Sequence, residues 1–327
     1  MKAAWYERNG PASEVLQSGE RPTPEPGPGE VRIRVAYSGV NPSDVKSRAG
    51  SRPVRVPYII PHSDGAGVID KVGYGVDDSR VGQRVWTWNA QYQRSFGTAA
   101  QYVALPQEQA VHLPEPASLQ HGACLGVPAL TAYQAVENAE IEPGHTVLVI
   151  GGASSVGFYA AQMARARGAR VICTVGSQAR ADVLRSAGLT ENILYKELDV
   201  ADSVMKLTAG KGVNSIIDMD FSTSAALVDK GVLAPHGQFV CFGSNDRGGT
   251  PVNFAHWLPR SLTLKFFLVY ELTQAQREAA IQGVNALLAK NALHHQIGPC
   301  FTLDQIVAAH QAVESGKETG KVLVDCA

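Results

Sequence analysis

The sequence predicts an α/β protein built from a β-rich unit and a doubly wound parallel sheet. Three observations predict it. The stretch "HTVLVIGGASSVG", His145 to Gly157, runs from an apolar strand through a glycine turn into a helix. After it, strands and helices alternate, which implies right-handed βαβ crossovers and a parallel sheet. Before it lie short strands cornered by glycines, the rhythm of a barrel-like β unit. The chain has 327 residues, a length that suits two domains.

The elements follow in order. "MKAAWYERNG" reads as a strand; it lacks the sustained apolar core of a signal peptide. "RPTPEPGPGE" is Pro/Gly punctuation, a surface loop, and "GEVRIRVAYSGV" alternates apolar and polar residues before turning at Gly39. "GAGVIDKVGYGV" and "VGQRVWTW" repeat the strand-turn rhythm. From about residue 146, "TVLVI" is a continuous apolar run, as a strand covered on both faces should be. "SVGFYAAQMARARG" is helical, "RVICTV" is a strand, and "QARADVLRSAG" is a second helix with a glycine stop. "SIIDM", "QFVCFG" and "LTLKFFLVY" read as later strands. The tail holds two helical patterns, "TQAQREAAIQGVNALLAKN" and "LDQIVAAHQAVESG", and closes on the strand "KVLVD".

A strand, a glycine turn and a helix form the arrangement that holds a dinucleotide pyrophosphate, because the helix N-terminus offers unpaired N–H groups and partial positive charge. Against G-x-G-x-x-G the matches are Gly152 and Gly157, with Ser154 at the middle position. An NAD site carries an Asp or Glu about 20 residues on, at the ribose hydroxyls. Here no acid lies between Ala153 and Ala181. Gly176 and Ser177 leave room there, and Arg180 can offer a planar fork of donors to a phosphate, which favours NADPH.

Composition narrows the partners. Net charge is −1 with no basic block, so charge indicates no nucleic-acid surface. No apolar run has the length of a membrane span. Five dispersed cysteines suit buried thiols in a reducing cytoplasm better than a disulfide frame.

With these residues in hand, the chain resembles the medium-chain dehydrogenase/reductase superfamily, and within it the zinc-free quinone oxidoreductase, or zeta-crystallin-like, branch. The matching stretches are "GVNPSD", "IPHSDGAGVI", "VGQRVWT", "PALTAY", "TVLVIGGASSVG", "FVCFGS" and "TGKVLV". The resemblance implies a GroES-like catalytic domain over 1–124, completed by 271–327, and a Rossmann NADPH-binding domain over 125–270. Zinc-dependent members carry Cys where this chain has Asn41, a His-Glu pair at Ser63-Asp64, and Cys near Val127. None of these positions offers a thiolate or imidazole, so no zinc is expected. Without the metal, a quinone or an enone is the easier hydride acceptor, because the charge spreads and hydrogen-bond donors can stabilise it.

The resemblance also implies site residues. Gly151, Gly152, Ser155, Val156 and Gly157 lie at the pyrophosphate; Ser177, Arg180 and Tyr195 face the 2′-phosphate. Thr131, Phe242, Gly243 and Ser244 flank the nicotinamide ribose, and Lys321 reaches the cofactor phosphates. Asn41 sits by the nicotinamide, where it orients the ring or donates to the substrate oxygen. Lys46 stands where many relatives have a tyrosine; it is either an anion stabiliser or proton donor, or it turns to solvent. An enoyl thioester or alkenal is the alternative acceptor. A crystallin-like or nucleotide-regulated nucleic-acid-binding protein is the reading from another class. "SLTLKFFLVY", Ser261 to Tyr270, is expected to be the last strand of the sheet, with an open edge that pairs two subunits into a homodimer.

Overall fold

The computed structural model describes residues 1–327. Two compact units form: Met1–Val127 with Asn285–Ala327, and Pro128–Val284. In chain order the strands are β1 Lys2–Trp5, β2 Gln17–Glu20, β3 Glu30–Gly39, β4 Asp64–Val72, β5 Arg84–Thr87, β6 Tyr102–Pro106 and β7 Ala110–His112. The second unit holds β8 Thr146–Val149, β9 Arg170–Val175, β10 Glu191–Leu194, β11 Val213–Asp218, β12 Leu233–Cys241 and β13 Thr263–Phe266. The tail supplies β14 Ile297–Thr302 and β15 Lys321–Asp325.

In the first unit the sheet order is β14-β15-β3-β4-β5-β7, with β6 also paired to β3. The long β3 organises it. Its Val31, Ile33 and Val35 are buried, while the alternate Arg32 reaches Asp70 at 2.9 Å on β4. Period-two patterning of this kind covers one face of an antiparallel sheet. The tail is part of the same core: Ile306 and Ala309 of the helix Ile306–Ser315, with Val322 and Val324 of β15, pack with Ile33, Ile69 and Val103.

The second unit has the order β10-β9-β8-β11-β12-β13, all parallel. Numbered from β8, that is the 3-2-1-4-5-6 arrangement of dinucleotide-binding sheets. The central strand β8 is covered on both faces: Val147, Leu148 and Val149 are all inaccessible. The order reverses between β8 and β11, and the carboxyl ends of these strands mark the crevice where such sheets bind ligands. No helix in either unit is long and apolar enough to cross a membrane.

The apolar run Ser261–Tyr270 divides between two elements. Only Thr263–Phe266 pairs with β12; Val269 and Tyr270 are buried in the following 3₁₀ turn, Val269–Glu271. Five further strands, β2, β6, β7, β10 and β14, are not evident in the sequence; none is longer than six residues.

The glycine turn answers first to packing. A Cβ on Gly152 would stand 2.6 Å from Cys173 Cβ of β9, and one on Gly157 would stand 2.3 Å from the Gly151 carbonyl oxygen. The second obstacle is backbone and cannot turn aside. Gly157→Ala is therefore expected to lower the unfolding free energy by about 1–3 kcal/mol, the usual cost of overpacking. A urea titration in which the midpoint falls and the slope holds would meet this expectation; an unchanged midpoint would refute it.

Candidate active site

The helix Ser155–Ala166 starts at the turn after β8. Ser154, which stands where the fingerprint has its middle glycine, is the N-cap: its Oγ accepts from the Gly157 N–H at 3.1 Å. Gly151, with φ of 69°, donates its N–H to Thr174 Oγ1 at 2.9 Å. The amides of Ser155 and Val156 lie in the first turn, where a helix provides no internal acceptor. The turn thus joins a tight strand–helix contact to a helix terminus suited to an anion.

A second corner forms at the end of β9. Ser177 caps the helix Gln178–Ser186, its Oγ accepting from the Arg180 N–H at 3.4 Å. Tyr195 lies against Gly176: a Cβ there would stand 3.1 Å from the phenol oxygen. Ser177, Arg180 and Tyr195 thus come together on one edge, and no Asp or Glu occurs from Gly176 to Ala181. The donor set suits a 2′-phosphate; the acceptor that would hold free ribose hydroxyls is absent from this segment.

Phe242, Gly243 and Ser244 follow β12, and their loop is fastened to the loop after β11. Asp220 accepts from Ser222 Oγ at 2.6 Å, Thr223 Oγ1 at 3.0 Å, Asn245 N at 2.8 Å and Asn245 Nδ2 at 2.7 Å. Burial pushes the Asp220 carboxyl up, but these donors outweigh it and hold it below the usual range. Asp218, at the end of β11, accepts from the Asp220 N–H at 3.0 Å, but burial outweighs its donors and raises it to about 6. Thr131 is buried in the helix Gly126–Asn138.

In the first unit the positions around Asn41 form a buried polar cluster. Asn41 Nδ2 donates to Asp64 Oδ2 at 2.8 Å, and Lys321 Nζ donates to the same oxygen at 2.8 Å and to Asn41 Oδ1. The Val127 N–H donates to Asp64 Oδ1 at 2.7 Å. Asn41, Asp64 and Lys321 are 2%, 0% and 3% exposed. Lys321, expected at the cofactor phosphates, is instead held by Asn41 and Asp64, because an ammonium out of water needs a carboxylate. Asp64 was the member that sequence reasoning missed, although an acid inside "PHSDGAGV", among small and apolar residues, was a signal of burial. Lys46 is exposed at the end of the helix Pro42–Lys46.

These residues do not fit a zinc ion. The Lys321 ammonium takes Asn41 Oδ1 and Asp64 Oδ2, Val127 has no ligating side chain, and no group of three His, Cys, Asp or Glu side chains converges anywhere in the chain.

A β-rich unit of this pattern and a six-stranded 3-2-1-4-5-6 sheet in one chain match the two-unit build of a dehydrogenase of the α/β class. The family model for the alcohol dehydrogenase GroES-like domain matches residues 27–115, and that for zinc-binding dehydrogenase matches residues 155–286. Quinone oxidoreductase of Pongo abelii is 30% identical over 98% of this chain and 95% of its own length. The structure of Escherichia coli quinone oxidoreductase complexed with NADPH superposes with a TM-score of 0.86, at 26% identity, over 99% of this chain and all of that one (100%). A structure named as an NAD-dependent alcohol dehydrogenase superposes at 0.89, with 28% identity and 99% of each chain covered. The chain belongs to the medium-chain dehydrogenase/reductase superfamily, on its quinone oxidoreductase branch, and is an oxidoreductase.

Asp44, below the Asn41 cluster, accepts from the Asn41 N–H at 2.8 Å. Burial, then the neighbouring Asp64 carboxylate, push it from 3.8 to about 7, with Lys321 opposing. The raised group holds a proton in the folded chain between those two values that the unfolded chain has lost. Stability therefore falls as pH rises through that window and is level on either side of it. Asp44→Asn keeps an oxygen for the Asn41 N–H and removes the titration. Its stability relative to the parent should climb between pH 4 and 7 by about 1.4 kcal/mol per unit. Urea titrations across that range that gave a constant difference would refute the assignment.

Proposed function

We propose that the chain is an NADPH-dependent reductase of quinones or other activated α,β-unsaturated carbonyls, and that it works without zinc. The observation that carries this reading is the Lys321 ammonium between Asn41 Oδ1 and Asp64 Oδ2, at positions where zinc-dependent relatives have ligands. With no Lewis acid there, the favoured acceptor is one that spreads the incoming charge over a conjugated system. The bound cofactor supplies a hydride. The protein supplies placement and donors: the first-turn amides of Ser155 and Val156 at the pyrophosphate, and Ser177, Arg180 and Tyr195 at the 2′-phosphate. Thr131, Phe242, Gly243 and Ser244 hold the nicotinamide ribose. The Asn41 amide nitrogen has two hydrogens; one goes to Asp64, and the second serves the acceptor oxygen. The corner at Arg180 favours NADPH although one structural relative is named for NAD. The reducing cytoplasm suits five free cysteines.

The test is NADPH oxidation followed at the nicotinamide absorbance with quinones, alkenals and enoyl thioesters, with and without a chelator. Turnover of quinones or enones that a chelator leaves unchanged is expected. Chelator-sensitive alcohol oxidation with NAD would overturn the reading. Arg180→Ala should weaken NADPH by about tenfold or more, about 1.4 kcal/mol, and leave NADH untouched, since NADH lacks the phosphate. Equal losses for both cofactors would remove Arg180 from the site.

The same reading extends to assembly. β13 pairs only with β12, and Leu264 and Phe266 on it are 36% and 58% exposed. An open apolar edge invites a second copy across a two-fold axis. Light scattering of the parent should give a homodimer and Phe266→Lys should shift it toward monomer; a monomeric parent at micromolar concentration would contradict this.

A further inference from the structure

We propose that Lys321 and Asp64 are positioning residues that lock the Asn41 amide in one orientation and sharpen it as a hydrogen-bond donor. The inference rests on the reading of Asn41 as the group that faces the acceptor oxygen. An asparagine amide has two orientations of nearly equal shape. Here the charges on either side choose between them. Lys321 can only donate, so it faces Oδ1; the Asp64 carboxylate accepts, so it faces Nδ2 at 2.8 Å. The flipped amide would set NH₂ against an ammonium and C=O against a carboxylate. A cation on the amide oxygen and an anion on one N–H also polarise the group, and in a buried site such chains reinforce one another.

The pair is itself fixed. Asp64 Oδ1 takes the Val127 N–H at 2.7 Å, and the Asp64 carbonyl takes the Thr98 hydroxyl at 2.6 Å. The Lys321 N–H donates to the Gln296 carbonyl at 2.8 Å. Room for the two side chains comes from glycines: a Cβ on Gly39 would stand 2.8 Å from Lys321 Cε, and one on Gly126 would stand 2.2 Å from Asp64 Oδ1. Apolar replacement of a buried ion pair is often neutral or stabilising, so stability alone is a weak reason for this one. Its geometry gives it a different task, the orientation of Asn41.

The test uses the full chain and a quinone acceptor that it turns over. Asp64→Asn with Lys321→Met keeps the size of both side chains near Asn41 but removes the charges that choose its orientation. Asp64→Leu with Lys321→Met is the second, apolar version. In either, kcat should fall by about tenfold to a hundredfold, the scale of a misplaced group, while NADPH affinity holds. Adding Asn41→Ala to the pair variant should bring the loss no further than that of Asn41→Ala alone, whereas a merely structural pair would leave the two losses additive. A folded pair variant with the parent's kcat, additive losses, or failure of both pair variants to fold would each overturn the proposal. Asn41→Ala alone separates the two readings. If it leaves kcat unchanged, the assignment of Asn41 falls, and the positioning role with it. If it costs about a hundredfold and the pair variants cost nothing, only the positioning role falls.

Discussion

An ammonium and a carboxylate kept out of water, Lys321 Nζ and Asp64 Oδ2 at 2.8 Å, hold one another because neither can be left there alone. That constraint ties together parts of the chain far apart in sequence. Asp64 opens β4, Lys321 opens β15, Asn41 follows β3, and Val127 closes the first stretch of the unit. The bare position at Gly126 follows from it, because the nearest atom to a Cβ there would be Asp64 Oδ1. So does the place of the tail: β15 must lie beside β3 for its lysine to reach Asp64.

The second unit has a different organising constraint, the need to bring strand and helix together while leaving amides for an anion. Ser154 reconciles the two. As N-cap it satisfies one of the helix's orphan N–H groups and leaves those of Ser155 and Val156 in the first turn. In the proposed reading, the β9 corner separates two cofactors that differ by one phosphate, through Arg180 and the absence of an acid.

Much of this was legible in the residues. The glycine turn, the apolar strand before it and the alternation after it specify the parallel sheet, because burial on both faces and a helical period leave strong local marks. The β-rich unit was legible from β3, whose alternation is clean. Other features leave no local mark. A lysine ahead of "VLVD" looks alike whether it meets solvent or a buried acid, so the sequence alone did not show Lys321 with Asp64. Ser154 looked like a departure from a motif because capping is a matter of geometry. Ser261–Tyr270 looked like one strand because an apolar run does not say which of its residues turn into a different part of the core.

The Asp64 carbonyl has a further effect through Thr98. Beyond Thr98, Oγ1 meets Ser38 Oγ at 2.7 Å, Ser38 Oγ meets His62 Nδ1 at 2.8 Å, and His62 Nε2 meets His310 Nε2 at 3.0 Å. A carbonyl only accepts, so Thr98 spends its one hydrogen there. Ser38 must then donate to Thr98, His62 must donate from Nδ1 to Ser38, and His310 must donate from Nε2 to His62. Burial keeps both imidazoles neutral, pushing His310 down to about 3 and His62 well below its ordinary value. Every tautomer in the row is thus dictated by one backbone oxygen. A proton arriving at His310 Nδ1 could not leave at the other end, since a carbonyl has nothing to pass on. The row is a brace for the strand that carries Asp64, and it conducts nothing.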